Sequence, residues 1–411
     1  MIYVPCYPCS AWVGRGVVIS LPTLLLTLAC LCFLIPDSPC YSVFLFEARE
    51  MINHKIKKEE YIGIDIFSGA GGLSLGAEMA GIDVQYGIEI DKYAASSFTY
   101  NHKNARVLTG DITKINTSDL NLKGNVFVIM GGPPCQGFSM SNTMSRNMNN
   151  EKNFLYLEFV RFVRELKPKW FVLENVWGLT KMNDGQTLEM IKESFYALGY
   201  TVKANILWAN DYGVPQKRYR CFIVGNNEDI NFDFPVPQNT NVTVHDAISD
   251  LPPLTNGQML DSAPYSIPYK DSSEYAKLMR GKSKLSRQNY VSLNNDLVIQ
   301  RYAYIPQGGN WRDIPDELMK NYADKSRCHS GIYKRLRDDA PSVVISNYRK
   351  SMLIHPTQDR GLSVREAARL QSFPDNFIFQ GPHMSIQQQI GNAVPPLLSK
   401  AVFNQILSYY E

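Results

Sequence analysis

The chain is 411 residues long, enough for one large domain and a smaller one, each with a core of its own. Hydrophobic residues make up 45% and charged residues 20%, a balance that excludes a disordered or fibrous chain and fits a globular one. A net charge of +3 neither demands nor forbids a nucleic-acid partner, but its distribution is uneven. Residues 270–350 hold 16 Lys and Arg against 9 Asp and Glu, so the rest of the chain is slightly acidic. A basic segment on a near-neutral chain suggests contact with a polyanion there, with a solvated loop face as the plain alternative.

The first fifty residues stand apart. They carry Cys6, Cys9, Cys30, Cys32 and Cys40, whereas Cys135, Cys221 and Cys328 are scattered. Spacing of that kind after residue 50 builds neither a disulfide framework nor paired zinc ligands, so that part reads as reduced, intracellular and metal-free. Cys6-x-x-Cys9 lacks a second pair and a βαβ setting, so it suggests no metal or redox role. Residues 17–35 are apolar enough to span a bilayer or to serve as the core of a secretory signal. The flanks suit neither, because Arg15 is the only base before them and no small-x-small cleavage site follows. Met51 opens a short polar lead into a strand and a glycine turn. Residues 1–50 are therefore expected to be an over-extended start or a dispensable leader, with a membrane anchor as the alternative.

From residue 58 the pattern is that of an α/β domain. Residues 61–67 are mostly apolar, as a central parallel strand should be. Ser68-Gly69-Ala70-Gly71-Gly72 then turns the chain into a helix over 73–79, ended by Gly81. Strand, glycine turn and helix make a nucleotide-type site, since glycine lets backbone approach a ligand and the helix N-terminus favours negative groups. The spacing departs from Gly-x-Gly-x-x-Gly because Ser74 takes the last place, and a dinucleotide fold remains open on this motif alone. The next strand, 84–88, ends at Glu89 with Asp91 close behind, where an acid can bind ribose hydroxyls. Asp111 follows the expected third strand, where its carboxylate could accept from an adenine amino group. A helix cap or turn is the plain reading of each acid.

The apolar run Val126-Phe127-Val128-Ile129-Met130 predicts a buried strand. Gly131-Gly132-Pro133-Pro134-Cys135-Gln136-Gly137-Phe138-Ser139 stops it and holds a cysteine at its carboxyl end, the edge where open α/β sheets place their chemistry. Residues 139–153 are rich in Ser, Asn and Met, have no periodicity, and are expected to close over a substrate. An amphipathic helix over 154–166 follows, with Leu155, Phe159, Phe162, Val163 and Leu166 on one face. The strand 170–173 then delivers Glu174-Asn175-Val176 to the same edge as Cys135, and a buried carboxyl there favours a function. Gln216-Lys217-Arg218-Tyr219-Arg220 precedes a strand over 221–224, and period-two spacing puts Arg218 and Arg220 on one face.

Between 241 and 351 the strand–helix alternation is lost, with Pro252-Pro253, Pro264, Pro268, Gly308-Gly309 and Pro315 cutting it into short pieces. Gly308-Gly309-Asn310-Trp311-Arg312 and Tyr333-Lys334-Arg335-Leu336-Arg337 mix glycine, aromatic and basic residues as DNA-facing loops do. Cys328-His329 has no companion ligands and reads as structural. Ser363-Val364-Arg365-Glu366 is a capping box opening a helix over 365–371. Gln389-Ile390-Gly391-Asn392-Ala393-Val394-Pro395-Pro396 is expected to open a last amphipathic helix, 397–410.

Taken together, the Pro-Cys-Gln loop, Glu174-Asn175-Val176, Gln216–Arg220 and Gln389–Pro396 resemble the DNA cytosine-5 methyltransferases, in the family's usual order from 62 to 396. The resemblance implies an α/β chain with a Rossmann-like S-adenosyl-L-methionine-dependent methyltransferase domain at 58–237 plus 384–411. A smaller, loop-rich target-recognition domain would occupy 238–383. It further implies that Phe67 packs on the adenine, Gly69 and Gly71 line the methionine, Glu89 takes the ribose and Asp111 the adenine, with Pro133 and Asn392 beside the cofactor. Position 90 is Ile where the family often has an aromatic, and Lys152 stands where an Arg is usual, a point charge in place of a fork. The residue types suit the chemistry. A Cys135 thiolate can add to C6 of a flipped cytosine and leave again, favoured by Arg218 or Arg220, while Glu174 serves N3. The partner implied is double-stranded DNA, for a cytoplasmic monomer with a cognate restriction endonuclease in the same system. The rivals are a tRNA cytosine methyltransferase of similar fold and a non-catalytic DNA-binding homologue.

Overall fold

Among the described residues, regular structure begins with Ile62–Ile66 (β1), five residues buried on both faces. A computed structural model describes residues 61–134, 155–238, 240–320 and 330–411. The apolar leader with Cys6 and Cys9, the loop from Cys135 through Lys152, and Cys328-His329 lie outside the described residues. After β1 the chain runs through Gly72–Ala80 (α1), Asp83–Glu89 (β2), Lys92–Asn101 (α2), Arg106–Thr109 (β3) and Val126–Gly131 (β4). Leu155–Leu166 (α3), Trp170–Asn175 (β5), Gln186–Tyr196 (α4), Thr201–Trp208 (β6) and Tyr219–Asn226 (β7) complete the first half. Local chemistry fixes the ends. Gly81, left-handed at φ 114°, terminates α1 by donating its N–H to the carbonyls of Ala77 and Glu78. Asp91 caps α2 by accepting from the Tyr93 and Ala94 amides.

The strands form a seven-stranded sheet in the order β3-β2-β1-β4-β5-β7-β6. Pairing is parallel from β3 through β5, whereas β7 runs antiparallel to both β5 and β6. Strand order therefore reverses between β1 and β4, which opens a crevice at their carboxyl ends. β4 and β5 are buried throughout, consistent with helices on both faces. One face is covered by α3 and α4, whose Phe159, Phe162, Ile191 and Phe195 meet Ile64, Ile129 and Phe171 of the strands.

Residues 244–303 are cut into short elements: Val244–Ile248 (α5), Met259–Pro264 (β8), Glu274–Arg280 (α6), Leu285–Tyr290 (β9) and Asp296–Ala303 (α7). β8 and β9 pair as an antiparallel ribbon separate from the large sheet. Val364–Leu370 (α8) opens as expected: Ser363 Oγ accepts from the Glu366 amide, and Glu366 Oε2 accepts from the Ser363 amide at 2.7 Å. The same helix buries Arg369, which reaches both Asp375 oxygens at 2.8 and 2.7 Å and Asp250 Oδ1 at 2.6 Å. Removing one partner of such a buried set would leave a bare charge, so α8 frames this half of the chain.

The last helix falls where expected, and the segment before it belongs to a helix of its own. Gln389–Asn392 closes one helix, His383–Asn392 (α9), and a second, Pro396–Leu407 (α10), starts after it. The cause is Val394-Pro395-Pro396. Proline lacks an N–H and holds the residue before it extended, so the first helix must stop, while Pro396 at the first turn suits the start of the next. α9 sends Ile386 and Ile390 into the core built by α5, α6 and α8. α10 alone lies on the sheet, with Leu398, Val402, Phe403 and Ile406 against Leu73, Ala77 and Trp170. Residues 58–411 form one compact unit, and no helix among the described residues is long and apolar enough to cross a membrane.

The seam between α1 and α10 has no spare room. A Cβ on Gly76 would lie 2.3 Å from Ser399 Cβ and 2.5 Å from the Pro396 carbonyl oxygen. Gly76→Ala should therefore lower the unfolding free energy by about 1–3 kcal/mol. Urea titration would show it as a lower midpoint at unchanged slope.

Candidate active site

The glycine turn after β1 is held in a conformation that ordinary residues avoid. Phe67, Gly69 and Gly71 have φ of 68°, 55° and 98°, and a left-handed Phe is uncommon enough to mark a functional edge. A Cβ on Gly71 would strike His102 Nε2 at 2.1 Å, so no other residue fits. Gly69 differs, since no atom of the described residues lies within 4 Å of where its Cβ would be, so this side of the turn is open. Glu89, at the end of β2, fastens this turn. Its Oε2 accepts from the Gly69 amide at 2.8 Å and its Oε1 from the Asp91 amide at 2.7 Å. Burial raises the proton affinity of Glu89, against those amide hydrogen bonds. Next to it Ile90 is 70% exposed, an apolar face presented at the crevice. Asp111 lies beyond β3 and caps a short helical turn, accepting from the Thr113 hydroxyl and amide at 2.8 and 3.0 Å. Those bonds hold its carboxyl below the usual range.

Glu174 and Arg220 meet at the neighbouring edge. β7 runs antiparallel to β5, so the start of β7 lies beside the end of β5, with Asn175 opposite Cys221. Arg220 Nε stands 2.6 Å from Glu174 Oε1, with both side chains largely buried. Burial raises the Glu174 pKa, and Arg220 and then Arg218 pull it back. The chain leading to Cys135 is pressed against this pair. A Cβ on Gly132 would lie 2.7 Å from Glu174 Oε2, and Asn175 Nδ2 donates to the Pro133 carbonyl at 3.2 Å.

Phe67, Gly69, Gly71, Glu89, Pro133, Glu174 and Arg220 thus share one edge of the sheet. Arg218 does not join Glu174. Its guanidinium is fully buried and donates to the carbonyls of Ile345 and Gly391 at 2.9 and 3.0 Å. Period two placed both arginines on one face, but Arg218 falls before β7 begins, where the chain is still turning. Asn392 is exposed at the end of α9, and its Oδ1 accepts from Gln388 at 2.7 Å. Among the described residues no cluster of His, Cys, Asp and Glu could hold a metal ion.

Sequence reasoning passed over Asp65, a carboxyl in the middle of β1 with no exposed surface. The signal was present, since a lone Asp in Ile-Gly-Ile-Asp-Ile interrupts an apolar strand. Burial pushes its pKa up to about 8, although Ser74 Oγ donates to Oδ2 at 2.5 Å. It also passed over Asn175, whose hold on Pro133 needs the parallel register of β4 and β5 to be known.

A sheet whose strand order reverses above a glycine turn, with an acid closing the turn, is the architecture of Rossmann-like methyltransferases. Comparison with known proteins narrows the class. A family model for the C-5 cytosine-specific DNA methylases matches residues 61–408. The Type II methyltransferase M1.HphI of Haemophilus parahaemolyticus is 37% identical over 349 residues, 84% of this chain and 86% of that protein. M.DdeI of Desulfomicrobium norvegicum, also a Type II methyltransferase, is 36% identical over 372 residues, 85% and 89% of the two chains. Among solved structures, a prophage-encoded chain (E. coli) described as a candidate DNA modification methyltransferase superposes with a TM-score of 0.68 at 26% identity. That match covers 85% of this chain and all of the other. The chain belongs to the C-5 cytosine-specific DNA methylase family and is an enzyme of the DNA (cytosine-5-)-methyltransferase class.

Asp65 gives a pH signature. Its folded pKa of about 8 lies above the ordinary 3.8, so the proton it binds stabilises the fold fully below about pH 4. That contribution is lost as pH rises through about 8. The stability of the natural chain relative to Asp65→Asn should therefore decline from pH 5 to pH 9, by on the order of several kcal/mol. Parallel urea midpoints for the two proteins across that range would refute the assignment.

Proposed function

We propose that this enzyme transfers a methyl group from S-adenosyl-L-methionine to C5 of a cytosine flipped out of double-stranded DNA. Cys135 would be the nucleophile and Glu174 the acid. The observation that carries the reading is the Glu174–Arg220 pair at 2.6 Å, packed against Gly132 three residues before Cys135. Residues 58–237 with 384–411 would carry the chemistry and the cofactor, and 238–383 would read the target.

The residues at the glycine turn fit an adenosyl cofactor. Gly69 leaves open space, Glu89 has lone pairs to spare for vicinal hydroxyls, and Phe67 and Ile90 offer apolar faces to a purine. Gly71 would shape the methionine end, Asp111 would accept from the adenine amino group, and Pro133 and Asn392 would adjoin the cofactor. Bound there, it supplies an electrophilic sulfonium methyl group.

The chain's own residues do the rest. Cytosine C5 is a poor nucleophile, so the Cys135 thiolate first adds to C6 and pushes electron density towards C5. Negative charge accumulates on the ring, and Glu174, whose burial favours its protonated form, donates at N3. Arg220 fixes the orientation of that carboxyl. Loss of the C5 proton after methylation, with return of the N3 proton to Glu174, restores the ring and expels the Cys135 thiolate. The target atom cannot be reached inside a stacked duplex, which is why the base must leave it.

The named relatives are Type II methyltransferases, which supports a restriction–modification role beside a cognate endonuclease. The protein would act as a metal-free monomer in the cytoplasm.

Bisulfite sequencing of DNA from a host expressing residues 51–411 should reveal methylated cytosines in one sequence context. Cys135→Ser should abolish the signal, and methyl transfer that survives it would overturn the mechanism. Activity on tRNA but not on duplex DNA would favour the rival substrate, and EDTA should leave turnover unchanged. Glu174→Gln should slow methyl transfer by about 10²–10⁴-fold. Arg220→Ala removes the charge that lowers the Glu174 pKa, so the alkaline limb of kcat/KM should move to higher pH while its height falls.

A further inference from the structure

Arg218 occupies an expensive position. Its side chain has no exposed surface, and none of the ion pairs among the described residues includes it. Burying a guanidinium without a carboxylate at contact distance is costly, so its two hydrogen bonds must hold something that matters. Each ends on a backbone carbonyl of a different segment.

The first, Ile345, lies on a strap over residues 342–347, which is sewn to the turn before β7. The Lys217 amide donates to the Ser342 carbonyl at 2.8 Å, and the Ser342 amide donates to the Pro215 carbonyl at 2.9 Å. The Ile345 amide donates to Gln216 Oε1 at 2.8 Å, and Arg218 Nη1 takes the Ile345 carbonyl. The second segment is the last turn of α9. Arg218 Nη2 holds Gly391 there, one residue before Asn392. That turn also touches the strap, because a Cβ on Gly391 would stand 2.4 Å from the Ser346 carbonyl oxygen. At the exposed rim Asn347 donates to Gln388 at 2.9 Å and Gln388 to Asn392 at 2.7 Å. Gln371, just past α8, donates to the Ile390 carbonyl at 2.7 Å and accepts from Gln216 at 3.0 Å. Two residues after Arg218, on the same chain, Arg220 meets Glu174.

We propose that Arg218 is a positioning residue and not a catalytic one. One buried guanidinium ties the 342–347 strap and the Gly391–Asn392 turn to the strand that presents Arg220 to Glu174. The inference rests on the methyl-transfer reading above and deepens it. Movement of the turn at the proposed cofactor contact, or of the strap in the proposed recognition segment, is transmitted to the acid through this side chain.

The test compares Arg218→Gln, Arg218→Lys and Arg220→Gln in the full chain, each checked for folding by thermal unfolding. Binding of S-adenosylhomocysteine is measured by calorimetry. Single-turnover methylation is measured on a duplex bearing the sequence found by bisulfite analysis. Arg218→Gln should weaken S-adenosylhomocysteine binding roughly 10-fold and slow the single turnover about 100-fold. Arg218→Lys keeps a donor for at least one carbonyl and should recover most of both losses. Arg220→Gln should slow turnover while leaving S-adenosylhomocysteine affinity unchanged. Natural affinity and rate in Arg218→Gln would overturn the proposal. So would Arg218→Lys as slow as Arg218→Gln with affinity intact, the pattern of a guanidinium that touches substrate. If Arg218→Gln does not fold, Arg218→Lys decides alone: near-natural affinity with near-natural turnover supports the tie, and slow turnover at intact affinity counts against it. A natural chain that binds S-adenosylhomocysteine but methylates no DNA would sink the functional reading and leave the binding comparison to judge Arg218.

Discussion

A carboxyl group at the end of a buried strand is tolerated only if its charge or its proton is answered. For Glu174 the answer is Arg220, brought alongside because β7 enters the sheet antiparallel to β5. In a fully parallel sheet the start of the next strand would lie at the opposite edge and the pair could not form. The one reversal of direction beside β5 is thus what lets an arginine approach the carboxyl ends of the parallel strands. Gly132 can press against the same carboxyl because it has no side chain. Sheet topology and local sequence agree on a single spot, which is what a unique fold requires.

The two ends of this edge are electrostatically distinct. Glu89 receives two backbone amides in a partly open setting, whereas Glu174 receives a guanidinium in a buried one. Asp65, between them in the sheet order and under α1, is fully buried, takes a hydrogen bond from the Ser74 hydroxyl, and has its pKa pushed up to about 8 by burial. Three carboxyls on β2, β1 and β5 thus have different surroundings, and burial raises the proton affinity of each against a different set of partners.

Much of this was legible in the sequence, and the reasons are local. The glycine turn, the acid after β2, the Pro-Pro break after β4 and the Ser363–Glu366 capping box are short-range patterns, each constrained by backbone chemistry within a few residues. What escaped was long-range. Arg218 looked equivalent to Arg220 because spacing cannot say that one lies on a strand and the other on the turn before it. The last helix was readable from the Pro395-Pro396 pair that opens it, whereas the separate helix ending at Asn392 was not read. The strap at 342–347 carries no signal, since its role comes from carbonyls and amides that every residue possesses. Asp65 was visible as a misfit in an apolar strand, and Ser74 was placed on the following helix, but only packing shows that the two meet.

α10 has a further consequence. Ser399 donates to the Leu73 carbonyl at 2.6 Å, a contact between the first and the last α-helix among the described residues. On the ribosome, the sheet face beneath α10 stays uncovered until residues 396–407 have been made, with Trp170 and its apolar neighbours exposed meanwhile. A nascent chain of this design must shelter that surface until α10 emerges, and a message truncated ahead of residue 396 would yield a sticky product rather than a shortened enzyme.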